Sequence, residues 1–144
     1  MEVYSFLDCI LNLSFPTPAG TMTITGKGIG NVSVGMAQER SVMEASADGN
    51  IMISKLAGNQ GSLKISVQQT SDAHKFLLGS YNALIFAAPA LWAQGAGLMR
   101  CLSDGTTHVF TGLCFQKLGD KGYEKQGKMV DWTLLAGDIQ STPF

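Results

Sequence analysis

Charge is scarce in this chain. Its 144 residues are 15% Asp, Glu, Lys and Arg and 45% hydrophobic, where roughly a quarter charged is usual for a soluble domain. So few charges leave either a thick core or a neutral, partly apolar surface that another subunit covers, and we favour the second. Ten basic residues against eleven acidic ones give a net charge of −1. No basic run exceeds two residues, which argues against tight binding to phosphate backbones. Cysteine is also sparse: Cys9, Cys101 and Cys114 form an odd, widely spaced set, a poor disulfide framework. The longest apolar run, Ala83 to Ala93, contains Pro89 and is too short to span a bilayer. No basic segment leads into an apolar one near Met1, so no signal peptide is read and synthesis in a reducing cytoplasm is expected. Also missing are H-E-x-x-H, G-x-S-x-G and Walker patterns. The G-x-G-x-G at Gly26 to Gly30 lacks the further glycine of a dinucleotide fingerprint and is followed by strand-like residues, so it reads as loop punctuation.

What is present is alternation between turns. The length suggests one domain over residues 1–144. Val3 to Phe15 reads as a strand, with Cys9, Leu11 and Leu13 on one side. A Pro-rich turn at Pro16 to Gly20 ends it, and short strands follow at Thr21 to Thr25 and Val32 to Met36. The clearest signals lie between Arg40 and Ser71. Asp48-Gly49 suits a two-residue type I′ hairpin turn, and Ser62 to Gln69 sets Leu63, Ile65 and Val67 against a wet face of Ser62, Lys64, Ser66 and Gln68. Ser71 is an N-cap, and Ala73, Phe76, Leu77, Tyr81 and Leu84 recur at helical spacing, predicting a helix from Asp72 to about Phe86. A hairpin about Asp104-Gly105, a charged loop at Lys117 to Lys128, a strand at Met129 to Ala136 and a tail from Gly137 complete the chain. The expected fold is mainly β (α+β): an antiparallel sandwich or barrel of about eight strands with one short flanking helix.

One constellation could carry chemistry. If Asp104 and Gly105 are the only loop residues, Cys101 opposes His108, close enough for a thiol–imidazole contact. No local residue completes a triad or a ligand set, and a buried cysteine beside a polar strand residue is the simpler reading. His74 reads as a surface residue, and the carboxylates are scattered. No catalytic residue, cofactor or metal site is therefore assigned, and an enzyme is not expected. A small Cys–His enzyme or metal-binding β-barrel is the remote alternative.

The order of these motifs resembles a known family. An N-terminal Y-S-F-x-D-C segment, a Gly-rich loop and an Arg40…Asp48-Gly49…Ser54 hairpin come first. Gly61-Ser-Leu-Lys-Ile-Ser-Val follows, then Gln69-Thr70-Ser71 capping a helix with Leu77-Leu78 and Tyr81-Asn82, and Trp132 in a late strand. Over nearly its whole length the chain resembles tail tube proteins of contractile-tailed bacteriophages, which are related in fold to type VI secretion tube proteins. The resemblance implies a virion structural protein whose hexameric rings stack helically into a tail tube for DNA ejection. Partners would be sheath, tape-measure and baseplate or terminator proteins, with DNA passing the lumen unbound. About 24 strands at 4.8 Å spacing and 40° tilt make a backbone circle roughly 45–50 Å across, wide enough for a duplex. On that reading Arg40, Glu44, Asp48, Gly49, Asn50 and Asn59 are candidate inter-ring contacts, and Ser62, Lys64, Ser66 and Gln68 are candidate lumen residues. A secretion tube or tube terminator of the same fold is the alternative.

Overall fold

A computed structural model describes residues 3–17, 20–25, 29–119 and 121–143. In chain order the strands are β1 (Cys9–Ser14), β2 (Thr21–Thr25), β3 (Ile29–Met36), β4 (Ser41–Ala45), β5 (Ile51–Lys55) and β6 (Gly61–Gln68). After the helix α1 (Asp72–Ile85) come β7 (Gly95–Cys101), β8 (Thr106–Phe115), β9 (Met129–Ala136) and β10 (Asp138–Pro143). Eight strands form one antiparallel sheet along the path β2-β1-β7-β8-β9-β6-β3, with β10 added on β8. Among the described residues strands β4 and β5 pair only with each other.

The large sheet folds into two layers because β8 turns a corner. Up to Thr111, β8 pairs β7 and β10; beyond Gly112, Leu113 still pairs Gly95 of β7, while Cys114 and Phe115 pair Leu135 and Leu134 of β9. Gly112 is the extra residue where the β7–β8 register slips, and its φ of 67° is a left-handed value that suits only glycine well. The N–H of Gly137 bridges the corner, donating to the carbonyls of Thr111 at 3.0 Å and Gly112 at 3.3 Å. Among the described residues the sheet does not close: β2 and β3 end the path without pairing each other. This is a sandwich of two layers, one holding β2, β1, β7, β8 and β10 and the other β8, β9, β6 and β3.

The inward faces are the alternating apolar positions the sequence shows. Leu11, Leu13 and Phe15 meet Leu63, Ile65, Val67, Trp132 and Leu134, all buried. Helix α1 adds Ala73, Leu77 and Leu84 to this cluster. The Ser71 hydroxyl accepts the N–H of His74 at 3.2 Å, so the predicted cap is formed. The aromatic ring of Phe115 lies 5.0 Å from Phe15 and 5.6 Å from both Tyr81 and Trp132, where the two layers and the helix meet.

Several expectations need correction. The first strand is confined to Cys9–Ser14; Phe6–Asp8 is a 3-10 turn, closed by Asp8 N–H on the Ser5 carbonyl at 3.1 Å. The tail after Gly137 is strand β10, since Ile139 is buried opposite Phe110 and one apolar side chain in six gives no visible alternation. Ile29 and Gly30 belong to β3 rather than a loop; Gly26, Lys27 and Gly28, like Pro18 and Ala19, lie outside the described residues. Asp48-Gly49 is not a two-residue turn. Ser46 N–H donates to Asn50 at 2.8 Å and Gly49 N–H to Ser46 at 3.0 Å, a loop of Ala47, Asp48 and Gly49 in which only Gly49 takes positive φ. At the other Asp-Gly, Cys101 pairs Thr106 and the loop has four residues.

Candidate assembly surfaces

The arm. Strands β3 and β6 pair from Ile29↔Val67 to Met36↔Gly61. Beyond Met36 and Gly61 the two chains continue as a ribbon, linked by Ala37 N–H on Gln60 O at 3.0 Å and Leu56 N–H on Arg40 O at 2.8 Å, into β4 and β5. The ribbon therefore prolongs a hairpin of the sandwich past its end. On one of its faces Met43 opposes Ile53 and Ala45 opposes Ile51; Met43 and Ile53 are each 64% exposed and Ile51 60%. Met52 on the other face is 60% exposed. A ribbon with apolar side chains on both faces and no layer against it is unstable in water unless something covers it.

The sequence candidates are only partly together. Glu44, Asp48, Gly49 and Asn50 sit at the exposed end of this arm. Arg40 lies at its base, where its Nη1 donates to the Leu56 carbonyl at 3.3 Å. Asn59 is farther back, half-buried, with its carbonyl accepting from Ile139 N–H at 2.9 Å. The turn carboxylate is the best organised group: Asp48 accepts from the Ser46 hydroxyl, from Asn50 N–H at 3.2 Å and from Asn50 Nδ2 at 3.1 Å. The Ser46 hydroxyl above all, then the Asn50 backbone, hold it below the ordinary carboxylate value. The exposed methionines and isoleucines are not among the candidate contact residues read from the sequence. Their signal was the lack of any polar face in Ile51-Met52-Ile53.

The polar face. Ser62, Lys64, Ser66 and Gln68 line up on the outer side of β6, between Asn31 and Ser33 of β3 and Asp131 and Thr133 of β9. A shallow depression of about 270 Å³ opens among Lys64, Ser66, Asp131 and Thr133. Ser66 is less open than expected, only 8% exposed, because its hydroxyl donates to Asp131 Oδ1 at 2.6 Å. One cation and one carboxylate on a bed of Ser, Thr, Asn and Gln leave this face nearly neutral.

Edges and termini. Among the described residues β2, β3 and β10 each pair on one side only. Each presents unpaired backbone groups that another strand could take. A second apolar patch surrounds the first residues: Val3, Leu7 and Leu102 are exposed, held together by Ser5 N–H on Ser103 Oγ at 3.2 Å and Leu102 N–H on Asp8 O at 3.3 Å.

The chemical candidates dissolve. His108 opposes Met99, not Cys101, and its Nδ1 lies 2.6 Å from the Ser141 hydroxyl. Cys101 is instead bonded to Cys9, its direct partner across β1 and β7, so the cysteines do include a disulfide that spacing alone concealed. Cys114 is free, and burial pushes its thiol up, away from the reactive thiolate. His74 is 4% exposed rather than on the surface. Its Nδ1 accepts from Trp132 Nε1 at 3.3 Å, which leaves the proton on Nε2.

Among the described residues the sandwich thus presents an unpartnered arm, three open edges and a bland polar face. The sequence profile described as "Bacteriophage PhiTE tail tube protein" matches residues 1–142. The chain belongs to this tail tube family. It is a structural family, not an enzyme family, and its members are parts of the virion. Solved structures agree in fold. The tail tube chain resembles one from the anti-feeding prophage tube terminating cap with a TM-score of 0.64 at 8% identity, covering 100% of this chain and 93% of that one. For the anti-feeding prophage baseplate, 6-fold symmetrised, the values are 0.63 and 13%, covering 99% and 97%. For the sheath-tube complex of an extracellular contractile injection system, PVC, in its extended state they are 0.61 and 8%, covering 99% and 93%. At such identities the likeness concerns the fold. No curated relative matches the chain in sequence.

Proposed function

We propose that residues 1–144 form one domain that assembles as homohexameric rings, stacked helically into the inner tube of a contractile tail, through which DNA leaves the virion. The observation that carries this reading is the arm: a ribbon with Met43, Ile51 and Ile53 exposed and, among the described residues, no partner strand beyond itself. Six-fold symmetry is carried over from the baseplate assembly of similar fold, and sheath, tape-measure and baseplate or terminator partners suit a tube of this kind. Within a ring the contacts are heterologous and close by rotation; along the axis they are open-ended. The single-sided edges β2, β3 and β10 suit neighbours in the ring. The near-neutral face of Ser62, Lys64, Ser66 and Gln68 suits a channel, since a wall without a basic stripe does not hold the duplex by counterion release. The subunit has no catalytic task, is made in the host cytoplasm and ends in the virion tail.

Removing Ala45 to Ile51 tests this. The shortened protein is expected to remain folded and to give rings or monomers in negative-stain images where the full chain gives hollow tubes. Long tubes from the shortened chain would show that the arm is not the axial contact. Rings of the full chain that never stack would point to a terminator instead.

A further inference from the structure

The arm and the lysine-rich loop leave the same pair of strands at opposite ends. Strands β6 and β9 pair from Gly61↔Ala136 to Gln68↔Met129. The arm extends from the Gly61 end, while residues 117–128 join β9 at the Gln68 end. There Gln69 N–H donates to Lys128 O at 3.2 Å and Gln69 Nε2 to Gly122 O at 2.9 Å. Eight residues at about 3.4 Å each set the two ends roughly 25 Å apart.

Their charges are opposite. Residues 44–52 carry Glu44 and Asp48 and no cation, whereas residues 117–128 carry four lysines against two carboxylates. One of those carboxylates, Glu124, is already neutralised by Lys128 at 2.8 Å. Lys125 is exposed, and Lys121 stands 5.3 Å over the Tyr123 ring. The apolar parts match as well, because Leu118 and Tyr123 are exposed on the loop as Met43 and Ile51 are on the arm.

We propose that the Asp48 end of one copy's arm docks on the Lys121–Lys125 loop of the copy stacked against it, a head-to-tail contact between two different surfaces of the same chain. It rests on the tube reading and names the acceptor that the arm requires. Because the two surfaces lie at opposite ends, each copy offers a free arm after its loop is filled, and the contact propagates without closing. Exposed charges act over about a Debye length, near 8 Å at physiological salt, so they orient the arm while the apolar side chains supply most of the affinity.

Charge reversal tests the pairing. Glu44→Lys with Asp48→Lys, or Lys121→Glu with Lys125→Glu, is expected to cut the pelletable tube fraction at low salt about tenfold. All four changes together should restore it. As a second measurement, in a Cys114→Ser background that removes the free thiol, Asp48→Cys with Lys125→Cys should give a covalent ladder with a bifunctional maleimide, and neither single change should. Tubes indifferent to either reversal, reversals not rescued by combination, or a ladder from Asp48→Cys alone would overturn the arm-to-loop contact and leave the tube reading standing. A full chain that forms no tubes under any condition overturns both.

Discussion

Trp132 directs its indole N–H at His74 Nδ1, so the buried imidazole accepts a bond on that nitrogen. The imidazole must stay neutral to accept it. Burial first, and the charge of Lys121 second, lower the His74 pKa from 6.5. The unfolded chain therefore binds a proton that the folded chain refuses. Stability is present in full above pH 6.5 and is lost as pH falls from there through the folded value. Urea midpoints of the monomer at pH 7.5 and pH 5 should differ in the natural protein, and the difference should shrink in His74→Gln. Equal pH dependence in both would show that other groups carry it.

At the scale of elements, a strand's two faces do different work. Strand β6 buries Leu63, Ile65 and Val67 and turns Ser62, Lys64, Ser66 and Gln68 outward. If that outer face lines the lumen, Ser62→Cys in assembled tubes should react with a small maleimide and be shielded from one bearing a large polymer. Disassembled subunits should react with both. Equal labelling of tubes by the large reagent would put this face outside. The neighbouring layer is an informative control, because Thr23 and Asn12 on its outer face are polar and uncharged too, with Leu98 beside them.

At the scale of the whole molecule, the Cys9–Cys101 bond spans a sequence separation of 92 and ties β1 to β7 beside the point where the Ser103 hydroxyl donates to the Asp8 carboxylate. Closing so long a loop restricts the unfolded chain, so reduction is expected to lower unfolding free energy by about 2–5 kcal/mol. Urea unfolding with and without dithiothreitol should report it. Cys9→Ser with Cys101→Ser should be insensitive to reductant. No shift in the natural protein would mean that the thiols are not joined in solution.

Local signals were enough to determine much of this protein. The Ser71 cap, the helix Asp72–Ile85, the alternation of β6 and the span Met129–Ala136 were legible because each depends on near neighbours in the chain. So was the family, through the order of short motifs. Tertiary structure alone decided the rest. Strand β10 exists because β8 offers an edge, the Cys9–Cys101 pair because β1 and β7 align those two positions, and the burial of His74 because Trp132 stands opposite. The arm shows the division most plainly. Its turn residues announced a hairpin, but that it runs on past the sandwich with Met43, Ile51 and Ile53 exposed is a property of the folded chain.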